Sequence, residues 1–318
     1  KFQPGIDKQD TAYSAGDQRK YVDSDFVRFH YGKPERWKGW SYLPNPNKTI
    51  VGVVRDTHSW IGLDGIRYLA LGTDRKLYIY TEGALYDITP LRDTESLSNP
   101  FTTNGTTTVS VADAAHGAAV GDFVTFDSFS TIDGLDMNQE FEITSVTSAS
   151  AYTVTHTSTA SGSTSGGGGS GNAKYQITTG PSTSTYGYGW GTLTWNTSTW
   201  NTPRSSSGVV LSARQWSLDN FGEDLIATVL NSGTFVWDTS GGTGSRATAL
   251  SNAPTASRFS LVSTDTRHLM IFGTETTIGD ATTQDDLLFR FSDREDATNY
   301  TPVATNEAGS LRISDGSR

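Results

Sequence analysis

Short apolar segments separated by turn-forming residues recur along most of the chain, and this pattern predicts β-strands rather than helices. Within residues 49–96, strands are predicted at Ile50–Val54, Trp60–Leu63, Tyr68–Gly72, Lys76–Tyr80 and Leu85–Pro90. Asp64-Gly65 and Glu82-Gly83 supply tight turns between them. Short strands joined in this way would form an antiparallel sheet of the size of one propeller blade.

The same order of segments recurs within residues 181–318. Two further copies are predicted at Trp216–Asn220, Leu225–Val229 and Thr234–Asp238, and at Phe259–Val262, His268–Gly273 and Asp286–Phe291. Such repetition indicates sheets that bury their faces against neighbouring sheets, as in a propeller. Three blades would not close a ring, because propellers have about four to eight. We therefore expect this chain to be a piece of a longer protein that supplies further blades.

Residues 97–158 are predicted to be an inserted module of the small β-barrel or sandwich type. Its strands are predicted at Thr106–Val111, Val120–Phe126, Phe141–Val146 and Tyr152–His156. Residues 159–180, which include the sequence SGSTSGGGGSG, are predicted to be a flexible Ser/Gly-rich linker. The expected fold is all-β, with propeller blades and this inserted module.

Residues 1–48 are irregular in pattern and rich in aromatic and charged side chains, which favours an N-terminal interface segment. Tyr21–Gly32 contains an alternating stretch that predicts a strand. Gly32–Glu35 predicts a turn. Pro44 and Pro46 exclude a helix or a central strand at the end of the segment.

Composition supports a folded β protein and excludes several chemistries. Aromatic residues make up 11% of the chain and charged residues only 18%, unlike a disordered chain. The net charge is −10 without any Lys/Arg block, so tight nucleic-acid binding is not expected, whereas DNA could pass an acidic surface without sticking. The chain has no Cys, which excludes disulfides and thiol catalysis. No apolar run reaches the ~18 residues that a membrane-spanning helix needs.

Aromatic, charged and Gly-rich motifs follow one another in a definite order. They are Pro4–Ile6, Tyr21–Phe29, Gly32–Arg36, Gly39–Trp40, Tyr186–Arg204, Trp216–Ile226, Phe291–Asp296 and Tyr300–Pro302. In this order they resemble the tail hub and nozzle proteins of short-tailed phages, some of which are called packaged-DNA stabilisation proteins. Gly134–Thr144 resembles a β-module common in phage tail proteins. The resemblance covers most of the chain apart from the linker and the turns between strands.

The resemblance implies a structural virion protein of the distal phage tail, made in the bacterial host cytoplasm. Such a protein would form a ring with copies of itself, expected to be a hexamer, below a tail adaptor or head-to-tail connector. The ring would continue the DNA channel, retain packaged DNA until ejection, and contact a tail fibre or needle. DNA would pass through without specific binding. No catalytic residue, cofactor or membrane insertion is implied.

The main alternative is a carbohydrate-binding or depolymerase tail component that acts on host surface glycans, because paired carboxylates suit glycoside hydrolysis. Adjacent acidic pairs occur at Glu223/Asp224, Asp285/Asp286 and Glu295/Asp296. Neighbours on a strand point to opposite faces, so we expect solvated turn residues instead. Exposed Trp or Tyr beside two facing carboxylates would support the alternative. A monomeric secreted binding propeller, the second alternative, would make no ring contacts.

Metal and nucleotide chemistry have little support in the pattern. Asp133, Asp136 and Glu140 are close enough in sequence to bind calcium, but their spacing does not match an EF-hand loop. The five His residues are scattered, and the Gly-rich run lacks the Lys-Ser/Thr of a phosphate-binding loop. We therefore expect no enzyme activity, metal or cofactor.

The candidate contact residues for copies or partners are aromatic and arginine side chains. They are Arg28, Phe29, Arg36, Trp37, Trp40, Trp190, Trp195 and Trp200. Arg, Trp and Tyr are typical anchors of protein interfaces. The alternative for Arg28, Arg36 and Arg55 is stacking on a Trp within one subunit. The three later Trp residues, spaced by five, match neither helical nor strand periodicity, and a local core is their alternative.

Overall fold

The computed structural model describes residues 5–9, 11–37, 39, 49–184 and 212–313. It divides into two units, Lys1–Pro44 and Asn45–Arg318. The described residues are almost entirely β, with one short α-helix, α1 (Ala12–Asp17). The predicted all-β fold is therefore confirmed.

The N-terminal unit contains α1 and a hairpin of two strands. Thr11 caps α1, since its side chain accepts a hydrogen bond from the backbone amide of Ser14. The hairpin strands are β1 (Val27–His30) and β2 (Lys33–Arg36). A strand is thus confirmed within Tyr21–Gly32, but only over its second half.

The hairpin turns at Tyr31-Gly32, and the predicted turn at Gly32–Glu35 is wrong. Tyr31 and Gly32 have φ angles of 49° and 70°, as a two-residue type I′ turn requires. Pro34 lies in β2 opposite Phe29. His30 and Lys33 close the two-residue loop as a hydrogen-bonded pair, so the next pair is not hydrogen-bonded and Pro34 loses no ladder bond.

Sheet 1 is an antiparallel sheet of four strands in chain order. Its strands are β3 (Val54–Ile61), β4 (Arg67–Thr73), β5 (Leu77–Thr81) and β6 (Ala84–Asp87). The last three lie where the pattern predicts them, whereas β3 begins at the last residue of the predicted segment 50–54 and ends within the predicted segment 60–63. The chain turns at Gly52, whose φ is +88°. The Val53 amide then donates to Asp74 Oδ1 at 2.6 Å instead of joining a ladder.

The inserted module is a single seven-stranded sheet, called the insert sheet, with the strand order β7-β13-β10-β11-β12-β9-β8. Its strands are β7 (Leu91–Ser98), β8 (Phe101–Thr102), β9 (Thr108–Ala112), β10 (Phe123–Asp127), β11 (Glu140–Ser148), β12 (Ala151–Thr155) and β13 (Ser170–Gln176). The edge strands β7 and β8 are separated in the chain only by Asn99 and Pro100. The sheet therefore curls until its edges meet at this corner. No closed barrel forms among the described residues, so the barrel alternative for this module is not confirmed, whereas its all-β character is.

Side chains from distant strands meet inside the curl. The hydroxyls of Tyr152 on β12 and Tyr175 on β13 lie 2.8 Å apart. The rings of Phe101 on β8 and Phe126 on β10 are 5.0 Å apart, edge to face. These strands are three and four places apart in the ladder, about 14–19 Å in a flat sheet. The buried core of the module therefore depends on the curl.

The Gly/Ser-rich segment belongs to this module and is not a flexible linker. Its end is β13, which pairs with both β7 and β10. Before β13, the Ser130 amide donates to the Gly168 carbonyl at 2.8 Å, and the Phe101 amide donates to the Gly167 carbonyl at 3.2 Å. A Cβ on Gly168, whose φ is +99°, would lie 2.5 Å from the Phe101 ring. Glycine is required because the backbone passes this close to a buried ring.

Sheets 2 and 3 are four-stranded and antiparallel like sheet 1, with their strands in chain order. Sheet 2 contains β14 (Trp216–Phe221), β15 (Asp224–Val229), β16 (Thr234–Trp237) and β17 (Thr248–Ala249). Sheet 3 contains β18 (Phe259–Val262), β19 (Leu269–Phe272), β20 (Leu288–Phe291) and β21 (Gly309–Arg312). Short 3₁₀ turns occur at Thr239–Gly241 and Ala281–Thr283. All six strands predicted in the two later copies are confirmed.

Sheets 1, 2 and 3 pack in series, because β14 contacts β3 on one side and β18 on the other. Aromatic side chains dominate the core between sheets 1 and 2, including Trp60, Tyr68, Trp216 and Trp237. The Trp216 ring lies against Gly72, where a Cβ would be 2.6 Å from Trp216 Cγ. The core between sheets 2 and 3 is smaller and mainly aliphatic, with Ile226, Leu250, Leu269 and Ile271.

A carboxylate also joins the first strands of neighbouring sheets. Asp56 on β3 accepts a hydrogen bond from the Leu218 amide on β14 at 2.9 Å. Asp219 on β14 accepts one from the Val262 amide on β18 at 2.7 Å. Stacked four-stranded sheets agree with neighbouring propeller blades, and a closed propeller stays a prediction.

Candidate functional site

The hairpin of the N-terminal unit has a half-buried face and an exposed, charged face. Phe29 is half-buried, and its ring lies 5.6 Å from that of Tyr21. On the exposed face, Arg28 pairs with Glu35 across the strands, with Nη2 and Oε2 3.1 Å apart. His30 Nδ1 lies 3.5 Å from the other Glu35 oxygen. The face therefore holds two basic groups around one carboxylate.

Three large aromatic side chains of this hairpin lie in solvent. Phe26 and Trp37 are each 66% exposed, and Tyr31 at the tip is 91% exposed. The Trp37 amide donates to the Phe26 carbonyl at 2.6 Å, which brings the two residues together across the base. We define the hairpin surface as Phe26, Arg28, His30, Tyr31, Glu35 and Trp37. Aromatic side chains grouped with Arg are typical of protein–protein contact surfaces.

The N-terminal unit has little core with which to hold these aromatic groups. Among its described residues, Ala15 is the only fully buried hydrophobic side chain. An isolated two-stranded hairpin is marginally stable in water. Covering the hairpin surface by another protein surface would therefore stabilise the unit as well as bury its aromatic side chains.

The structure places part of the predicted contact set on this hairpin. Arg28, Arg36 and Trp37 line one cleft of about 500 Å³ together with His30 and Glu35. Phe29 lies on the opposite, half-buried face and is not part of that cleft. Trp40, Trp190, Trp195 and Trp200 lie outside the described residues.

Sequence reasoning missed Phe26 and Tyr31, which are among the most exposed aromatic residues of the hairpin. The Tyr31-Gly32 pair could have indicated the exposure of Tyr31, since a two-residue turn there places Tyr31 at the tip of the hairpin. Arg55 lies in β3 of sheet 1, and its guanidinium donates to the carbonyl of Ser182. Among the described residues, cation–π contacts are made by Arg75 and Lys76 over the Phe123 ring and by Arg92 over Tyr175.

A second polar cluster, the ion network, is buried where sheet 1 meets the insert sheet. Lys76 has a side chain only 3% exposed, and its Nζ lies 2.8 Å from Asp87 Oδ2 and 2.5 Å from Glu140 Oε1. Arg246, between β16 and β17, reaches Asp87 Oδ1 at 3.3 Å. Gln176 on β13 donates to Glu140 Oε2 at 2.6 Å. The network therefore ties the insert sheet to sheets 1 and 2.

The electrostatics of the ion network keep Asp87 ionised. Burial alone would raise the pKa of Asp87, but the Lys76 ammonium and the Arg246 guanidinium lower it below its ordinary value. A carboxylic acid that donates a proton in glycoside hydrolysis needs a raised pKa instead. The network is thus built to bind cationic side chains, and its evident role is to fix the module in place.

The adjacent acidic pairs have structural partners. Asp285 pairs with Arg312 at 2.7 Å, and Asp286 pairs with Arg258 at 2.8 Å. Asp224 accepts hydrogen bonds from Thr239, and Asp296 accepts them from Thr298. These contacts account for four of the six carboxylates without a substrate.

The three residues considered for calcium binding, Asp133, Asp136 and Glu140, have different partners in the structure. Asp133 accepts hydrogen bonds from Thr103 and Thr164. Asp136 accepts one from the Asn138 amide, while Glu140 belongs to the ion network. Within the described ranges, no group of three or more His, Asp or Glu side chains is placed to hold a metal ion.

Comparison with known proteins adds little to this geometry. No protein-family model matches the chain, and no curated protein matches it. Among solved structures, the phage phi92 endosialidase matches with a TM-score of 0.25 and 13% sequence identity, over 81% of this chain. The match spans 38% of the endosialidase chain, and at this TM-score it carries no argument about fold or function. No described helix is long and apolar enough to cross a membrane.

Proposed function

We propose that this chain is a structural, non-enzymatic protein of a phage tail, which assembles with copies of itself as a hub or nozzle ring. In this role the ring, expected to be a hexamer, sits below the tail adaptor, continues the DNA channel and retains packaged DNA until ejection. The virion location and the adaptor as partner follow from the order of motifs along the sequence. The exposed aromatic side chains of the hairpin support the self-assembly.

The hairpin surface is the observation that carries the proposal. A unit with almost no core exposes Phe26, Tyr31 and Trp37 beside Arg28. Burying large aromatic side chains contributes about 1.5–3 kcal/mol each, so a surface of this kind gains most by contact with protein. Arg and Trp are also the residues that dominate contact energies in protein complexes.

Charge supports the channel role. Residues 1–44 carry eight basic and six acidic residues, a net charge of +2. Since the whole chain carries −10, residues 45–318 carry −12. A ring with such a body would repel the phosphate backbone and let DNA pass without adhering to it.

The glycan-degrading alternative expects exposed Trp or Tyr beside two facing carboxylates. In the described residues, the exposed hairpin aromatics accompany one carboxylate, Glu35, which is paired with Arg28. Asp87 and Glu140 both bind the Lys76 ammonium, and the aromatic residue that lines their cleft, Tyr78, is buried. The structural role is therefore favoured over glycoside hydrolysis.

The test is the mass of the 318-residue protein by light scattering over a concentration series, for the wild type and for Trp37→Ser. We expect a multi-copy particle whose self-association weakens at least tenfold in the variant. Leu63→Ser is the matched control, because Leu63 is 91% exposed but lies in the turn between β3 and β4, and it should assemble as the wild type does. A wild type that stays monomeric at every concentration would overturn the proposal.

A further inference from the structure

The insert sheet has a hydrophobic core of its own. All sixteen buried side chains of this core come from residues 101–175. The neighbouring core, between sheets 1 and 2, takes its buried side chains from residues 60–88 and 216–247. Among the described strands, β7–β13 pack extensively on one another but not on the strands of sheets 1, 2 or 3. The insert sheet is therefore a separately packed body, as a small domain would be.

Two adjacent chain segments connect this body to sheets 1 and 2. Ile88 is fully buried in the core between those sheets, and β7 begins shortly after it, at Leu91. On the return, β13 ends at Gln176, and Ile177 packs against the same core. The Ile177 amide donates to the Pro90 carbonyl at 3.0 Å, so the two segments run side by side. We call this two-stranded connection the stem, and segments at the ends of strands are typical hinges.

Beyond the stem, cations on sheets 1 and 2 contact carboxylates on β11. Lys76 Nζ lies 2.5 Å from Glu140 Oε1, and Arg75 Nη2 lies 2.8 Å from Glu142 Oε1. Arg246 Nη2 lies 3.9 Å from Glu140 Oε2. In each of these pairs the sheets supply the cation and the insert sheet supplies the carboxylate. We define these five residues as the charge latch.

The other contacts near the charge latch are also polar or cationic. Phe123 on β10 belongs to neither core, and its ring centroid lies 4.7 Å from Arg75 Cζ and 4.3 Å from Lys76 Nζ. Arg75 also donates to a backbone carbonyl of the insert sheet at 2.8 Å, and the Thr179 amide donates to Asp122 Oδ1 at 2.8 Å. Bodies of one chain are expected to move relative to each other unless a large apolar interface joins them.

We propose that the insert sheet is a hinged arm, which the charge latch holds closed against sheets 1 and 2. When the latch opens, the arm rotates on the stem as one body. Opening transfers the latch ions to water and exposes Phe123, but it leaves the core of the arm intact. Removing charge from the latch therefore shifts the population towards the open arm. The arm is a property of each single copy, whether or not the copies form a ring.

Neutralising the two latch glutamates tests the arm. Glu140→Gln/Glu142→Gln removes both carboxylates of the latch, while the buried Lys76 keeps its carboxylate partner beside sheet 1. Asp93→Asn/Asp127→Asn is the matched control, because it also removes two carboxylates from the insert sheet. Asp127 pairs with a lysine of the same sheet, and Asp93 lies exposed on β7, so neither residue belongs to the latch.

Distances between paired spin labels, measured by double electron–electron resonance, report the position of the arm. The chain has no Cys, so engineered cysteines are the only labelling sites. Ser158→Cys on the arm and Ser251→Cys after β17 form the arm-to-sheet pair. Ser98→Cys and Ser158→Cys form the within-arm pair. All three positions are exposed.

We expect a narrow arm-to-sheet distance distribution in the protein with the native latch, and a distribution at least twice as wide in Glu140→Gln/Glu142→Gln. The within-arm distribution should be the same in both, and the control variant should match the native latch. An arm-to-sheet distribution that does not change, or that widens equally in the control, would overturn the latch. A distribution already wide with the native latch would overturn it too. Widening of the within-arm distribution would overturn the movement of the arm as one body, because its core would then have opened.

Discussion

Replacing Lys76 with methionine tests whether the ion network fixes the insert sheet to sheet 1. Methionine keeps the length and apolar character of the side chain but removes the positive charge. Glu140 and Asp87 then lose the ammonium at 2.5 and 2.8 Å. Asp87, with a side chain only 6% exposed, keeps Arg246 at 3.3 Å as its remaining cation. The substitution therefore leaves a buried carboxylate with one of its two cations and its hydrogen bonds from Thr89.

The expected loss follows from the burial of this carboxylate. Removing one partner of a buried ion pair costs about 3–5 kcal/mol. Since Arg246 remains, we expect the lower end, about 3 kcal/mol at pH 7. Lys174→Met is the matched control, because Lys174 pairs with Asp127 at the surface and its side chain is 40% exposed. Such an exposed pair contributes about 0–1 kcal/mol.

The loss should also depend on pH in a defined direction. In the wild type the pKa of Asp87 is lowered: burial would raise it, but Lys76 and Arg246 outweigh burial. This stabilisation is present above the unfolded pKa of about 3.9 and is lost as the pH falls through the folded pKa. Without Lys76, fewer positive charges offset the burial of Asp87, so its pKa in the folded variant is higher than in the folded wild type. Protonation of Asp87 then removes the poorly compensated charge. The difference in unfolding free energy between the wild type and Lys76→Met should therefore become smaller below about pH 5.

Urea unfolding at pH 7 and at pH 4.5, followed by circular dichroism, measures both effects. The reasoning is refuted if Lys76→Met loses no more stability than Lys174→Met. A loss of equal size at both pH values would also refute it. The double variant Lys76→Met/Asp87→Asn, which removes the stranded charge, should recover part of the lost stability.

Two further predictions concern packing. Trp216→Ala removes a ring buried against Gly72 between sheets 1 and 2, and it should cost about 3–5 kcal/mol in urea unfolding; a loss below about 1 kcal/mol would contradict the packing. Gly168→Ala places a Cβ 2.5 Å from the Phe101 ring at a φ of +99°, so we expect a loss of more than about 1 kcal/mol by thermal unfolding. Gly244→Ala, which meets nothing within 4 Å, should change stability by less than about 0.5 kcal/mol, and equal effects of the two would refute this account.

The strands of sheets 2 and 3 were predictable because their signals are local. Alternating apolar residues and turns such as Asn231–Gly233 specify short antiparallel strands without reference to distant residues. β3 was misplaced because Gly52 and the Asp74 side chain divert the chain before Val54. That contact joins residues 21 positions apart, so no local pattern contains it.

The Gly/Ser-rich segment shows why composition alone predicts a flexible linker wrongly where glycine is required by close packing. Glycine runs are usual in linkers, yet here Gly168 is required beside the Phe101 ring, and Ser170 begins β13. The neighbour that demands glycine is about 67 residues away in the chain, so the sequence carries no local sign of it.

The sequence predicts which types of residue form the candidate site, but it predicts less well on which face each residue lies. Arg28, Arg36 and Trp37 were identified because Arg and Trp are typical interface anchors. Phe29 was assigned to the same surface, although alternation along β1 places it on the opposite face. The apolar row of sheet 3 could not be predicted, because only the pairing of four strands brings Phe259, Phe289 and Leu311 together.

The central claim is that this chain is a ring-forming structural protein. Electron microscopy class averages of the purified wild-type particle, in negative stain, test it most directly. We expect closed rings with rotational symmetry and a central opening wide enough for duplex DNA. Single copies, or compact dimers without an opening, would contradict it.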